Sequence, residues 1–127
     1  MSRLLYLAHP IVALTDEDRT ETMRAVHRLR DEFVSRGWIV YTPGYAFRAP
    51  AGSENRDVFV INQQALHCAH ALLAVLHRSE MSTGVGVELG RWDNTKPCAA
   101  IVSGLKLGLP PRVSQFLDEP RAVEWLD

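Results

Sequence analysis

Residues 71–90 read ALLAVLHRSEMSTGVGVELG, and this stretch decides the fold. Its first six residues are all apolar, which predicts a strand buried on both faces of a parallel sheet. The small residues at 82–86 predict a turn into a helix, and glycine there lets a ligand approach the backbone closely. The free N–H groups of a helix N-terminus attract anions. The stretch therefore predicts a strand, an anion-binding turn, and a helix that carries the carboxylate of Glu88.

The same alternation of strand and helix patterns continues on both sides of this stretch. Further apolar runs predict strands at residues 4–8, 38–41, 98–102 and 113–117. Amphipathic spacings predict helices from Thr15 to Gly37, from about 58 to 68, from 84 to 94 and from 120 to 126. This order predicts an α/β fold: a doubly wound, flavodoxin/Rossmann-like parallel sheet of four or five strands with helices on both faces. The length of 127 residues predicts a single domain over residues 1–127.

The composition excludes several classes of function. A net charge of −1 is not the clustered positive charge that nucleic-acid binding requires. No apolar run approaches the roughly 20 residues that span a bilayer, and the N-terminal residues do not resemble a signal peptide. Cys68 and Cys98 lie in apolar contexts, which favours buried thiols over a disulfide. We therefore predict a cytoplasmic protein with no membrane contact, no nucleic-acid partner and no bound cofactor.

Two side chains are candidates for chemistry at the carboxyl ends of the strands, where ligands bind in such sheets. Glu88 lies beside the apolar stripe of its helix, at the border between core and crevice. The alternative is a solvated helix glutamate, but the neighbouring glycines favour a functional role. Tyr6 lies near the end of the first strand. It is either a core aromatic residue or a partner whose hydroxyl reaches Glu88.

Other polar residues have structural alternatives. Ser82 fits a helix cap and a phosphate ligand equally well. Asn62 lies beside the buried stripe of its helix, where an amide requires hydrogen-bond partners. The histidines at 67, 70 and 77 suggest a metal, but no third ligand joins them at a recognisable spacing, so we predict no metal site.

The chain resembles the nucleoside 2-deoxyribosyltransferase-like superfamily. The resemblance rests on residues 5–8 (LYLA), residues 69–75 (AHALLAV) and residues 84–90 (GVGVELG). Of these, only the last segment is a specific signature. The superfamily includes deoxyribosyltransferases, 2′-deoxynucleoside 5′-phosphate N-hydrolases and cytidylate N-hydrolases. The resemblance implies a small-molecule nucleotide substrate and a homodimer or larger homo-oligomer.

The resemblance also implies roles for individual residues. Glu88 matches the nucleophile that attacks the sugar C1′, and Tyr6 matches the residue that orients it. Gly84 and Gly86 belong to the substrate-binding signature. Ser82 matches a phosphate-binding serine of the 5′-phosphate hydrolases. Together these matches predict a hydrolase that releases the free base from a nucleoside 5′-monophosphate.

The chain departs from the family pattern in two places. Asn62 stands at the position of a catalytic aspartate that serves the base or the proton transfers, and His70 occupies a second aspartate position. Pro10 removes a backbone donor from the loop after the first strand. His9 or Arg19 can supply compensating charge there. We therefore place Asn62 with the catalytic residues, and His9 and Arg19 with the substrate-binding residues.

Three alternatives to hydrolysis remain open. The first is base exchange by a deoxyribosyltransferase. The second is a catalytically weak nucleotide binder or sensor on the same fold, which the amide at position 62 favours. The third is a fold relative of the phosphoribohydrolases that activate cytokinin nucleotides, although the chain lacks their Pro-Gly-Gly opening.

Overall fold

The computed structural model describes residues 2–10, 16–43, 55–76, 83–102 and 109–127, and for residues 55–59 and 83–84 it describes the backbone alone. Five strands form one sheet, and every pair of neighbours is parallel. In chain order they are β1 (Leu4–Ala8), β2 (Ile39–Tyr41), β3 (Ala71–Leu76), β4 (Cys98–Val102) and β5 (Ser114–Phe116). Their spatial order is β2-β1-β3-β4-β5. This confirms the predicted doubly wound parallel sheet.

Helices cover both faces of the sheet. They are α1 (Asp16–Ser35), α2 (Asn55–Cys68), α3 (Thr83–Arg91) and α4 (Glu119–Leu126). Because side chains alternate along a strand, the sheet contributes to two separate cores. Leu5 and Leu7 join one core with α1 and α4, whereas Tyr6 and Ala8 join the other with α2 and α3. Both faces of β3 are buried along its whole length, as its apolar run predicts.

The ends of the elements differ from the sequence prediction in a few places. The predicted cap at Thr15 lies outside the described residues, and α1 begins at Asp16 with three acids in its first turn. Gly37 follows α1 with a φ of 89°, a conformation that glycine adopts without strain. Helix α3 ends at Arg91 rather than at residue 94. Asp93 there accepts hydrogen bonds from the backbone N–H and the hydroxyl of Thr95, which favours a turn over a further helical residue.

One prediction about the core was wrong. Cys68 is exposed, whereas Cys98 is buried as expected. Among the residues of α2 whose side chains are described, Leu66 lies in the core. Two residues along a helix correspond to a rotation of about 200°, so Cys68 points away from the sheet when Leu66 points towards it. Within the described ranges, no helix is long and apolar enough to cross a membrane.

The core predicts a sharp contrast between two neighbouring residues of α1. Phe33 is fully buried and packs edge-on against Trp38, with 5.5 Å between the ring centroids. Val34 is 51% exposed. We expect Phe33→Ala to lower the free energy of unfolding by about 3–5 kcal/mol through the cavity it leaves. Val34→Ala, the matched control, should change it by less than about 0.5 kcal/mol. Urea unfolding measures both, and similar losses would contradict this packing.

Candidate active site

The strand order places a topological switch point between β1 and β3. β1 and β3 are neighbours, but the chain leaves β1 for a helix on one face and leaves β3 for a helix on the other. In sheets of this order, ligands bind at the carboxyl ends of the strands, where the connections diverge. Tyr6 on β1 and Glu88 on α3 meet at this point.

Glu88 is held by a hydrogen bond from Tyr6. The phenolic hydroxyl donates to Oε1 of Glu88 at 3.0 Å. Glu88 is only 9% exposed, because the helix stripe beside it, Val85 and Leu89, packs into the core. Its second oxygen, Oε2, is buried and has no hydrogen-bond partner among the described residues. One oxygen is therefore positioned by Tyr6, and the other has no described partner.

Burial determines the electrostatics of this pair. It raises the pKa of Glu88 from 4.5 to about 7, and the hydrogen bond from Tyr6 acts in the opposite direction. Burial and the charge of Glu88 also raise the pKa of Tyr6 well above its usual value. The phenol therefore stays protonated and donates at any pH at which Glu88 ionises. The carboxylate is desolvated, which strengthens its attraction to a developing positive charge.

A second tyrosine extends the site to helix α2. Tyr41, the last residue of β2, is paired in register with Tyr6, and their ring centroids are 5.4 Å apart. Its hydroxyl donates to Oδ1 of Asn62 at 2.6 Å. The charge of Glu88 contributes to the raised pKa of Tyr41, after burial, so the two groups are close enough to interact. The structure thus brings Glu88, Tyr6, Tyr41 and Asn62 together.

Sequence reasoning did not include Tyr41 in the site. Tyr41 could have been found from its position at the carboxyl end of the second strand, because ligands bind at that edge of such sheets. The partnership with Asn62 has no sequence signal, since the two residues lie 21 positions apart on different elements.

His9 and Arg19, two predicted substrate-binding residues, make no described contact with Glu88. His9 follows β1 and is buried, with Nδ1 3.1 Å from the carbonyl oxygen of Pro10. Burial lowers its pKa, although the carbonyls of Pro10 and Pro43 act in the opposite direction. This works against the cationic form, which would attract a phosphate by its charge. Arg19 lies on the exposed side of α1, 3.8 Å from Asp16.

The glycine signature is only partly described. The backbone of Gly84 lies in the first turn of α3, and Gly86 is a half-buried residue of the same helix. Ser82 and His77 lie outside the described residues. Among the residues with a described placement, no three His, Cys, Asp or Glu side chains gather where they could hold a metal ion.

We compared the sequence and the structure of this chain with those of known proteins. The sequence matches no protein-family model and no curated protein sequence. Solved structures do match. The 2-deoxyribosyltransferase of the psychrotolerant bacterium Bacillus psychrosaccharolyticus superposes with a TM-score of 0.70 and 22% identity, covering 98% of this chain and 92% of the other. The chain has the fold of that 2-deoxyribosyltransferase.

Two further structures share this fold. The 2-deoxyribosyltransferase of Leishmania mexicana matches with a TM-score of 0.61 and 18% identity, covering 82% of this chain and 67% of the other. A conserved protein of Enterococcus faecalis V583 matches with a TM-score of 0.59 and 18% identity, covering 80% of this chain and 64% of the other. These structures confirm the fold that the resemblance implies.

The raised pKa of Glu88 predicts how stability depends on pH. In the unfolded chain the carboxyl ionises near 4.5, and in the folded chain near 7. Wild type therefore loses up to roughly 3 kcal/mol of stability as pH rises through this window. Glu88→Gln removes that loss, so its free energy of unfolding relative to wild type should increase by that amount from about pH 4 to about pH 8. Glu124→Gln, the same change at an exposed site of α4, is the control.

Urea unfolding at a series of pH values measures this difference. The orphaned Oε2 is replaced by an amide N–H₂, which shifts the curve of the variant by a constant amount. The raised pKa of Glu88 is therefore tested by how the difference in free energy of unfolding between variant and wild type changes with pH. A difference that stays flat between these pH values for Glu88→Gln would contradict a desolvated carboxyl at this position.

Proposed function

We propose that this chain is an enzyme that cleaves the N-glycosidic bond of a nucleoside or nucleotide, with Glu88 as the nucleophile. One observation carries the proposal: a buried carboxylate whose Oε1 is held by Tyr6, while Oε2 has no described partner. A nucleophilic carboxylate requires this division, with one oxygen oriented and the other directed at the reacting carbon.

The chemistry proceeds in two steps. Oε2 attacks C1′ as the bond from C1′ to the base nitrogen breaks, and the departing base takes that electron pair. The transition state has the character of an oxocarbenium ion, which a carboxylate on the opposite face stabilises. A second base or a water molecule then attacks C1′, loses a proton and releases Glu88. In both steps the phenol of Tyr6 keeps the carboxylate in place.

Transfer and hydrolysis differ only in the second nucleophile. The described geometry serves both. Two of the structural relatives are 2-deoxyribosyltransferases, which favours transfer of a deoxyribosyl group between bases. We therefore place transfer first. Hydrolysis of a nucleoside 5′-monophosphate is the second candidate, because Ser82 stands six residues before Glu88, where the hydrolases carry a phosphate-binding serine.

Asn62 affects the rate of both reactions. An amide is far too weak an acid to protonate a leaving base, so Asn62 cannot act as the general acid. General acid catalysis contributes roughly 10²–10⁴-fold, and we expect a slow enzyme rather than an inactive one. If turnover is too slow to matter, the chain acts as a nucleotide binder or sensor. A cytoplasmic location, a single domain and a homo-oligomeric state remain predictions.

An assay with a donor and an acceptor distinguishes these reactions. The protein is incubated with purine and pyrimidine deoxynucleosides and their 5′-monophosphates, with and without a free acceptor base, and the products are separated by chromatography. A new nucleoside that forms only with acceptor identifies transfer, and free base without acceptor identifies hydrolysis. Glu88→Gln should lose both activities, whereas Glu124→Gln should keep them. Equal turnover by Glu88→Gln and wild type would overturn the proposal.

Tyr6→Phe should change the pH profile as well as the rate. A hydrogen bond to a charged group contributes about 1.5–3 kcal/mol, so we expect kcat to fall by roughly 10–100-fold. Because that bond lowers the pKa of Glu88, its loss should also move the acidic limb of kcat/KM to higher pH. Wild type should show that limb near pH 7, since Glu88 must be ionised to attack. A lower rate with an unmoved limb would mean that Tyr6 supports the fold only.

A further inference from the structure

Tyr41 lies on an edge strand of the sheet. β2 is the outermost strand on its side, and β1 is its neighbour. Tyr41 is paired in register with Tyr6, so both side chains lie on the face that α2 and α3 cover. The two rings are in contact, with 5.4 Å between their centroids and a tilt of 39°. Tyr41 is therefore the outer ring of the pair, and Tyr6 is the inner one.

The hydroxyl of Tyr41 reaches from the edge strand to the covering helix. It donates to Oδ1 of Asn62 on α2 at 2.6 Å. The ring and this hydrogen bond together connect β2 with α2 at the edge of the sheet. Tyr41 is half-buried, whereas Tyr6 is fully buried. A partly exposed ring that packs against a fully buried one covers it from solvent on that side.

We propose that Tyr41, anchored by Asn62, shields the pair of Tyr6 and Glu88 from solvent at the edge of the sheet. The inference deepens the proposed function and rests on it for the role of Glu88 as the nucleophile. Tyr41 acts through the pair and is a positioning residue. Its contribution is to exclude water from a carboxylate, because electrostatic interactions are stronger where water is absent.

The groups around Glu88 make solvent access the property that Tyr41 controls. Burial is the largest cause of the raised pKa of Glu88, and the hydrogen bond from Tyr6 opposes it. The described titratable groups that interact here are Tyr6 from β1 and Tyr41 from β2, while β3 contributes only apolar side chains. Burial and the charge of Glu88 raise the pKa of Tyr41, so its phenol is neutral when Glu88 ionises. A neutral ring affects Glu88 by excluding water rather than by charge.

The shield can be measured without turnover. Urea unfolding gives the difference in free energy of unfolding between a Glu88→Gln variant and its parent from about pH 4 to about pH 8, in wild type and in a Tyr41→Leu background. In wild type this difference grows with pH, because the folded-state pKa of Glu88 is raised. Leucine lacks the ring and the hydroxyl. Water should then reach the pair, and the growth should shrink by about half or more.

Two variants serve as controls. Tyr41→Phe keeps the ring that packs on Tyr6, so most of the growth should remain. Trp125→Leu removes an aromatic ring at a 48% exposed position of α4, and it should leave the growth unchanged. Tyr41→Met takes the place of Tyr41→Leu if the latter does not fold. Growth as large without the ring as in wild type, or an equal loss in Tyr41→Phe and Tyr41→Leu, overturns the inference.

The pH profile of the reaction gives a second readout. With water beside the pair, Glu88 should ionise at lower pH, so Tyr41→Leu should move the acidic limb of kcat/KM to lower pH by about one unit. Tyr6→Phe should move the same limb in the opposite direction. A limb that moves to higher pH in Tyr41→Leu would mean that Tyr41 supports the hydrogen bond from Tyr6, and shielding would be wrong. If wild type turns over no substrate, the proposed function fails, and the stability series alone decides whether Tyr41 shields Glu88.

Discussion

The burial of one carboxylate against a parallel sheet is the constraint on which the candidate site depends. Glu88 is drawn into the core because its helix packs there through its neighbours Val85 and Leu89. Desolvation makes ionisation unfavourable, and Tyr6 offsets part of that cost with a hydrogen bond. The position costs stability at neutral pH, and such a cost is common at functional sites.

The doubly wound topology brings the other polar groups to the same place. β1 lies between β2 and β3, so Tyr6 has Tyr41 on one side and the strand that leads to Glu88 on the other. Side chains of the same register point to the same face of a parallel sheet. Tyr41 therefore shares the face of Tyr6 and reaches α2, which covers that face. Carboxylate, phenols and amide form one connected group because a single sheet orders the elements that carry them.

The fold was accessible from sequence because its signals are local. Continuous apolar runs predict buried parallel strands, and their spacing with amphipathic segments predicts the alternation that builds a doubly wound sheet. The strands at 4–8, 71–76 and 98–102 have the predicted bounds. The errors occurred at element ends, where a turn at Asp93 or the rotation of one helix at Cys68 depends on neighbours that the periodicity does not include.

By itself, the sequence determined the α/β sheet and predicted that Glu88 and Tyr6 belong to one candidate site, because strand periodicity and the glycine signature are encoded in contiguous residues. Only the tertiary structure decided that Tyr41 lies beside them and that its hydroxyl donates to Oδ1 of Asn62. It also decided that Tyr6 holds Oε1 of Glu88, while Oε2 has no partner among the described residues. These facts depend on strand register and on which side chain fills each hydrogen-bonding position, and both are settled only when distant segments pack together.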